Sequence, residues 1–544
     1  IKPLLKSLDI LDDFIPAEIL KEQKFPDINL ALKRIHFPLK LVDAELAKKR
    51  FAFENLFLLQ LNNLKIKSQL AIKKADAIST DKNYLQELIS QLPFQLTGSQ
   101  KESLKEIIED LQKPHPMNRL LQGDVGSGKT VIAALSAILV AKNQFQTVFM
   151  APTEVLAGQH YRTITGIFKD FNKGIALLTA NKNELSFGEK SDVKISKAKL
   201  LKEIENGNAK IIIGTHAVIQ KGVKFKNLAL AIVDEQHRFG VQQRAALLKN
   251  ENDQDVSIPH FLSMSATPIP RTLTLTVFGD LDLSTITELP AGRKEIITKI
   301  VAPENRPKAY DFIKEQIIKG RQAFVICPRI EPGTIKEGEV LSEAKKKALE
   351  LKSVKEEFEK LSTKIFPDLR VVMLHGKMKG KEKDQIMKDF QGRKYDILIS
   401  TSVIEVGVDV QNAAIMMIEG SERFGLAQLY QFRGRVGRAE HQSFCLLFTD
   451  SDSDTVKRRL NFLLTAKNGF ELAEKDLLLR GPGQFLGESQ TGLPDIAMDA
   501  LKDIQLVKTA RDAAKEIISN DSEFYNFPAL KERFQQFQKE IHLE

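Results

Sequence analysis

The sequence contains few of the residues and runs that mark secreted or membrane proteins. Only two of its 544 residues are cysteine, Cys327 and Cys445, which is too few for a disulfide framework or a zinc-ligand set. The longest apolar run, Val131 to Ala141, has about half the length that a membrane-spanning helix requires. No charged and then apolar signal segment opens the sequence. These absences favour a reduced compartment, and we expect a cytoplasmic protein that does not enter a membrane.

The bulk composition is that of a globular protein with several cores. Apolar residues make up 42% of the chain, the formal net charge is +9 and the isoelectric point is near 9.1. At roughly 100–200 residues per domain, the length predicts three or four domains. The basic balance suits a polyanionic partner, although many basic proteins bind no nucleic acid. The first residue is Ile rather than Met, so we expect an N-terminally incomplete chain.

The hydrophobic pattern divides the chain into four parts. Residues 1–78 carry apolar side chains at helical spacing and predict a helical linker segment. Residues 79–286 and 287–454 alternate short apolar strands with amphipathic helices, which is typical of parallel sheets with helices on both faces. Residues 455–544 are helical again, and a Lys- and Glu-rich stretch at 336–364 predicts a solvated helical insert. The sequence therefore predicts an α/β protein with two tandem sheet domains.

The most specific chemical signal is GDVGSGKT at Gly123–Thr130, which matches the pattern G-x-x-x-x-G-K-[ST] throughout. An apolar strand precedes it and a helical stretch follows, so backbone N–H groups and a helix N-terminus would face a phosphate. We expect Lys129 to reach the β- and γ-phosphates of ATP and Thr130 to hold Mg²⁺. The rest of the phosphate cradle would be formed by Gly123, Asp124, Gly126, Ser127 and Gly128.

The acidic pair Asp234–Glu235 directly follows the apolar strand LALAIV. A carboxylate at the end of a buried strand suits a nucleotide-bound Mg²⁺, and an adjacent Glu can act as general base on the attacking water. Taken alone, the pair could equally cap a helix. Its place in the same domain as the phosphate loop favours Asp234 as metal ligand and Glu235 as base.

Other polar residues follow further strands. Ser265 and Thr267, in the segment SMSAT, would either cap a helix or link the hydrolytic centre to the neighbouring domain. Asp409 follows the strand DILIST and would accept a hydrogen bond from a ribose hydroxyl, although this signal is weak when taken alone.

An arginine-rich segment, QLYQFRGRVGR, lies in the second α/β domain and contains Arg433, Arg435 and Arg438. Guanidinium groups suit bidentate contact with phosphate oxygens. Supplied from a second domain, such an arginine stabilises the charge that develops on a γ-phosphate. The alternative interpretation is a solvated basic face.

Nine segments, taken in order, resemble the motif series of superfamily 2 helicases. They cover about residues 90–450 and comprise FQLTGSQ, GDVGSGKT, APTEVLAGQHY, GTHAVIQ, DEQH, SMSATPIPRTL, HGKM, STSVIEVGVDV and QLYQFRGRVGR. The resemblance implies two RecA-like domains with ATP bound between them. It implies that Gln100 contacts the adenine edge beside Phe94, and that Gln431, Arg435 and Arg438 face the γ-phosphate. It also implies nucleic-acid backbone contacts around three strand ends, namely Pro152–Thr153, Thr215–His216 and Thr401.

Four segments resemble the RecG family of branched-DNA helicases more closely, namely DEQHRFGVQQR, SATPIPRTL, SERFGLAQLYQFRGRVGR and GFELAEKDLLLRGPGQFLGESQTG. The last resembles the translocation motif that this family shares with the transcription-repair coupling factor. It implies DNA-coupling roles for Arg459, Arg480 and Gln490. The family's oligonucleotide-binding wedge has no counterpart before residue 41, so we expect that it either lay upstream or is absent.

The resemblance implies an ATP- and Mg²⁺-dependent, 3′–5′ class DNA helicase that acts on forks and Holliday junctions in recombination and repair. It also implies a monomeric, nucleoid-associated bacterial protein whose partners include branched DNA and a single-stranded-DNA-binding protein. One alternative is a coupling-factor-like translocase, and another is a nucleotide-switched DNA clamp without turnover. Lys129, Glu235 and Arg438 are all present, which argues against lost hydrolysis.

Overall fold

The computed structural model of the chain describes residues 11–171, 173–188, 190–220, 222–234, 257–266, 270, 279, 281–288, 294–328, 354–376, 378–401, 410–437, 441–466, 468–480 and 500–542. Within these ranges, no helix has both the length and the apolar character needed to cross a membrane. The residues form two compact units. The first unit consists of Ile1–Lys73, Ile269–Asp282 and Ala473–Glu544. The second consists of Lys74–Pro268 and Leu283–Leu472.

The strands lie in the two halves where the sequence alternates between strand and helix patterns. Their bounds are β1 Asn118–Gly123, β2 Gln146–Met150, β3 Ile175–Leu178, β4 Asn183–Phe187, β5 Lys190–Lys194, β6 Ile211–Gly214, β7 Leu228–Asp234, β8 His260–Ser265, β9 Asp282–Ile286, β10 Ile297–Val301, β11 Gln322–Ile326, β12 Val371–Leu374, β13 Ile397–Ser400, β14 Ala413–Ile418 and β15 Phe444–Phe448.

The helices flank these strands and also occupy both ends of the chain. Their bounds are α1 Ala17–Glu22, α2 Ile28–His36, α3 Leu41–Ile72, α4 Lys82–Ser90, α5 Gly98–Leu111, α6 Lys129–Lys142, α7 Glu154–Ile167, α8 Lys197–Glu205, α9 Arg306–Ile318, α10 Gly380–Gln391, α11 Leu426–Arg433, α12 Asp454–Thr465, α13 Gly469–Arg480, α14 Ile504–Asn520 and α15 Pro528–His542.

The first sheet has nine strands in the order β5-β4-β3-β6-β2-β7-β8-β1-β9. At its centre, β2 is buried at every residue, and β7 is apolar and almost wholly buried up to its final Asp234, as expected of strands covered on both faces. The ladder is parallel from β3 through β6, β2, β7 and β8 to β1, whereas β4 pairs antiparallel with β3 and β5. The carboxyl ends of β1, β8 and β7 therefore lie side by side at one edge.

The second sheet has six strands in the order β10-β15-β14-β11-β13-β12, and all its pairings are parallel. Its two faces bury separate apolar clusters, one around Phe324, Phe390 and Phe432 and the other around Ile313, Val325 and Phe448. Two parallel-sheet domains confirm the predicted fold class. The predicted domain boundaries at residues 78, 286 and 454 stay predictions.

The Lys- and Glu-rich insert departs from its prediction at the end that the structure describes. Val354 and Leu361, with Phe366 just after the insert, are almost fully buried and pack on the second sheet with Val325 and Cys327. Apolar side chains five to seven residues apart give this stretch one face to bury, whereas Lys355, Glu356 and Glu359 are exposed, so only part of the element is solvated. The remainder of the insert, 336–353, lies outside the described residues.

The first unit joins the two ends of the chain in one helical core. Phe53, Phe57 and Leu61 of α3 pack with residues of α14 and α15, among them Ala510 and Phe534. Arg50 of α3 is fully buried and forms ion pairs with Asp13 at 2.7 Å and with Glu54 at 2.6 Å. Burial of these rings, at roughly 25 cal/mol per Å² of apolar surface, stabilises contacts between segments more than 400 residues apart.

Candidate functional site

The loop between β1 and α6 requires left-handed backbone at two glycines. Gly126 has φ of 78° and Gly128 has φ of 90°, a region that residues with a Cβ rarely adopt. A Cβ at Gly128 would also lie 2.4 Å from Nε2 of Gln100. These two glycines turn the chain from the end of a buried strand into the first turn of α6, so the N-terminus of the helix lies at the carboxyl end of β1.

The polar side chains of this loop are held in a compact cradle. Lys129 is buried and its Nζ donates to the carbonyl oxygens of Gly123 at 2.7 Å and Asp124 at 2.9 Å. The hydroxyl of Ser127 is buried and has no hydrogen-bond partner among the described residues. Thr130, the second residue of α6, is half-buried. A buried ammonium beside a buried hydroxyl that has no partner among the described residues, at the start of a helix, fits an oxyanion such as a phosphate.

Gln100 fastens this cradle to the helix before it. Its Oε1 accepts from the N–H of Thr97 at 2.8 Å, and its Nε2 donates to the carbonyl of Ser127 at 2.7 Å. Gln100 is 1% exposed, whereas the ring of Phe94 is 40% exposed. Gln100 therefore holds the loop in place, and the Phe94 ring presents an apolar surface close by in sequence.

Asp234 is the last residue of β7 and lies at the same sheet edge. It is buried, and its Oδ2 lies 2.9 Å from Nε2 of His160 on α7. Between β7 and β1 runs β8, whose terminal residue Ser265 is in register with Gln122. A phosphate loop, a buried hydroxyl and a buried carboxylate thus end three neighbouring parallel strands.

Helix α11, which packs on the second sheet, touches the loop of the first. The hydroxyl of Tyr430 donates to Oδ2 of Asp124 at 2.5 Å. Burial and the adjacent Asp124 carboxylate both raise the pKa of Tyr430 well above its usual range. One turn along, a Cβ at Gly434 would lie 2.9 Å from Cβ of Val125, so the glycine permits this close approach.

The predicted γ-phosphate residues lie on and directly after α11. Gln431 is 8% exposed and Arg435 is 6% exposed. Because Tyr430 and Gly434 contact the loop, the turn that carries Gln431 and Arg435 belongs to the same interface. The structure therefore brings together the phosphate loop, Asp234 and the arginine helix.

Two arginines tie α11 to α12. Nη1 of Arg433 donates to the carbonyl of Leu463 at 2.8 Å, and its guanidinium lies 4.5 Å from the centre of the Tyr430 ring. Nη2 of Arg459 donates to the carbonyl of Glu422, just before α11, at 2.6 Å. Thus α12 contacts both the last turn of α11 and the short segment that precedes α11, and the ring that contacts Asp124 packs against Arg433 of the same helix.

An open groove of about 380 Å³ lies at the carboxyl ends of β2, β3 and β6. Its lining includes the predicted backbone-contact residues Pro152, Thr153, Thr215 and His216, together with Lys197. Thr401, the predicted counterpart at the end of β13, is buried.

Six predicted residues lack a described side chain. One is Arg480, which ends α13. The other five lie outside the described residues, namely Glu235, Thr267, Asp409, Arg438 and Gln490. Conversely, sequence reasoning did not single out His160 or Tyr430. Each is a polar residue on a buried and largely apolar helix face. A polar residue in such a pattern indicates a buried hydrogen bond, and this pattern could have identified both residues from the sequence.

Comparison with known proteins agrees with this arrangement. The profile of the DEAD/DEAH box helicases matches residues 97–276, and that of the helicase conserved C-terminal domain matches residues 309–440. A profile for domain 3, C-terminal, of the ATP-dependent DNA helicase RecG matches residues 466–541. The chain is 42% identical over 528 residues to the ATP-dependent DNA helicase RecG of Bacillus subtilis, and the match covers 95% of this chain and 72% of that protein. The chain belongs to the RecG family.

Two further relatives of this RecG-family chain are longer than it is. The Synechocystis ATP-dependent DNA helicase RecG is 43% identical, and the match covers 96% of this chain but 60% of that protein. A solved structure of RecG bound to a three-way DNA junction is 38% identical with a TM-score of 0.72, and the match covers 92% of this chain and 62% of that one. The chain thus spans about three fifths of the length of these relatives. The predicted family is confirmed.

Proposed function

We propose that this chain is an ATP-hydrolysing motor that moves along duplex DNA and remodels branched DNA such as forks and Holliday junctions. The observation that carries the proposal is the contact between the phosphate loop and α11, through the 2.5 Å hydrogen bond from Tyr430 to Asp124. When a nucleotide is bound between two sheet domains, its hydrolysis can change the position of one domain against the other. The solved relative bound to a three-way DNA junction supports branched DNA as the substrate class.

The loop fits a magnesium-bound triphosphate, because it offers left-handed glycines, the buried Lys129 and the unsatisfied Ser127 hydroxyl. Bound ATP would supply the phosphoanhydride bond, and Mg²⁺ would neutralise its phosphate charge. Thr130 and Asp234 would hold the metal ion. Proton acceptance from water is proposed for Glu235, ribose binding for Asp409, and contacts on the base side for Phe94 and Gln100. The γ-phosphate side would be completed by Gln431, Arg435 and Arg438.

Coupling to DNA would pass from α11 into the helices that follow. Because Arg433 at the end of α11 and Arg459 on α12 join α12 to α11 and to the segment before it, these contacts would pass a shift of α11 on to α12. We assign the same coupling role to Arg480 and Gln490, because their segment resembles the family's translocation motif and lies within the residues that the RecG domain 3 profile matches. The groove at Thr153 and Thr215 would hold a phosphodiester backbone without reading its sequence.

The cellular setting follows from the same family relation. We expect a monomer in the cytoplasm that is associated with the nucleoid and works beside a single-stranded-DNA-binding protein.

The direct test is the ATP hydrolysis rate with a fork, linear duplex, single-stranded DNA and RNA. A motor of this kind hydrolyses ATP fastest with the fork and at background with RNA. Stimulation by RNA alone would refute branched DNA as the substrate, and no stimulation by any nucleic acid would favour a nucleotide-switched clamp.

The coupling role has a separate test in fork unwinding. Arg459→Met and Gln490→Ala should retain most ATP hydrolysis but unwind forks at least about tenfold more slowly. Arg458→Met is the matched control for Arg459, since Arg458 is exposed on the same helix. Wild-type unwinding by both test variants would refute the coupling assignment.

A further inference from the structure

A buried histidine contacts the carboxylate that we assign to the metal ion. His160 is 4% exposed and Asp234 is 8% exposed, and Nε2 lies 2.9 Å from Oδ2. An ionised carboxylate only accepts hydrogen bonds, so Nε2 is the donor. One oxygen of Asp234 is thereby fixed by a neighbouring helix, which sets the direction in which the carboxyl group faces.

The histidine ring itself is held in place. It stacks on Phe149 of β2, with 4.6 Å between ring centres and 29° between the planes, and Phe149 is fully buried. Stacking and the α7 backbone leave the imidazole little rotational freedom. A donor that cannot rotate orients its acceptor, and partners of this kind behind metal-binding carboxylates typically contribute about 10- to 100-fold in metal affinity.

The helix that carries His160 also reaches the groove. Thr153 caps α7 by accepting from the N–H of Leu156 at 3.3 Å, and Pro152, Thr153 and Glu154 line the groove. His160 is the seventh residue after Thr153, which is about 10 Å along an α-helix. Because a short α-helix moves nearly as one body, a shift at its groove end would also move His160.

We propose that His160 is a positioning residue that orients Asp234 for Mg²⁺ and links the groove to the metal ion through α7. This inference rests on the proposed function, because it takes Asp234 as the metal ligand and the groove as a DNA site. It adds a residue outside the predicted set and gives the groove a route to the hydrolytic centre.

The first test measures binding rather than turnover, with the fluorescent nucleotide mant-ADP and the full chain. The ratio of its dissociation constants without and with Mg²⁺ reports the metal ion's contribution. His160→Phe keeps an aromatic ring against Phe149 but has no donor, so this ratio should fall about tenfold. Metal-free affinity should stay within about twofold, since the phosphate loop is untouched. An unchanged ratio would overturn the proposal.

A matched pair guards against a folding defect in the Phe variant. Gln and Met have nearly the same shape, but only Gln has an amide N–H to donate. His160→Gln should retain more of the Mg²⁺ contribution than His160→Met by about fivefold or more, and equal values for the two would refute the positioning role. If wild-type protein gains nothing from Mg²⁺, it is instead the assignment of the nucleotide site that fails.

The link to the groove has its own readout. If DNA in the groove and Mg²⁺ at Asp234 are coupled, each must change the affinity for the other by the same factor. Linear duplex DNA should therefore change the Mg²⁺-dependent mant-ADP affinity of the wild type by at least about threefold, and by less in His160→Phe. A DNA effect of equal size in both proteins, or none in the wild type, would contradict a link through this helix.

Discussion

At the amino ends of β8 and β1 in the first sheet, the buried side chains of His260 and Arg119 bond to neighbouring side chains and to the backbone. Nδ1 of His260 accepts from the N–H of Met117 at 3.0 Å, and its Nε2 donates to the carbonyl of Asp76 at 2.9 Å. Arg119, near the start of β1, pairs with Asp110 at 2.8 Å and with Glu106 at 3.0 Å. His260 and Arg119 thus find their hydrogen-bond and ion-pair partners within the protein.

The carboxyl edge of the same strands is arranged differently. There the backbone is held at positive φ, Ser127 has a buried hydroxyl without a partner among the described residues, and His160 donates to a carboxylate. Unsatisfied or oriented polar groups cost stability and persist where a ligand uses them. We therefore infer that one edge supplies stability and the other supplies chemistry, and substitutions at each edge should have separable effects.

The largest expected effect is on hydrolysis in Lys129→Ala. Removing one preorganised donor from developing phosphate charge costs roughly 10²–10³ in rate, so ATP turnover should fall at least about 100-fold. The melting temperature should change by only a few degrees, because the lost hydrogen bonds are to loop carbonyls. Lys142→Ala, at the other end of α6, is the control and should hydrolyse ATP normally. A Lys129 variant that keeps its turnover would refute the assignment of this edge.

The next largest effect is on stability at the amino edge. Arg119→Met leaves Asp110 and Glu106 without their guanidinium partner in a largely buried site, which should lower the free energy of unfolding by about 3 kcal/mol. Arg370→Met is the control, because its ion pair with Asp396 is exposed on the arginine side and such pairs contribute little. Denaturant unfolding compares the two. Equal stabilities would show that the Arg119 cluster is not a structural anchor.

Removal of the Tyr430 hydroxyl should have a smaller effect on turnover. Tyr430→Phe loses the hydrogen bond to Asp124 and loosens α11 against the loop, so kcat should fall about tenfold, equivalent to about 1.4 kcal/mol. In a double-mutant cycle, Asp124→Asn should lower kcat by a smaller factor in the Tyr430→Phe variant than in the wild type. Tyr525→Phe, an exposed tyrosine, is the control. Fully additive losses would show that the two side chains act independently.

The smallest expected effect is the pH dependence from His260. Burial lowers the pKa of His260 below its usual value near 6.5, so the unfolded chain binds more protons than the folded one just below that pH. This contribution to stability is complete above about pH 6.5 and is lost as the pH falls through the folded pKa. His260→Gln should be less stable near pH 7.5, with a smaller further drop in melting temperature near pH 5.5. If the melting temperature of His260→Gln fell between pH 7.5 and pH 5.5 by as much as that of the wild type, groups other than His260 would cause the pH dependence.

The sequence predicted much of the architecture, because local patterns record which side chains are buried. The apolar strands of both sheets begin and end within one or two residues of the segments IALL, LALAIVDE and AAIMMIEG. The loop at Gly123–Thr130 was predicted with its flanking strand and helix, since the pattern requires both. Family membership and fold class are confirmed on this basis.

The remainder depends on which segments meet, and local patterns do not encode this. β4 and β5 have mixed polar sequences, NELSF and KSDVK, and form a hairpin at the sheet edge that periodicity did not reveal. The shared core of α3 with α14 and α15 joins residues distant in sequence. The contacts of His160 with Asp234 and of Tyr430 with Asp124 also arise only when neighbouring elements pack.

The most direct test of this division between the two edges compares ATP hydrolysis by Lys129→Ala and Arg119→Met. Both rates are measured per folded molecule, with the same branched DNA and at a temperature where both variants are folded. The division predicts a background rate for Lys129→Ala and a rate within about twofold of the wild type for Arg119→Met. A comparable loss in both variants, or in neither, would contradict it.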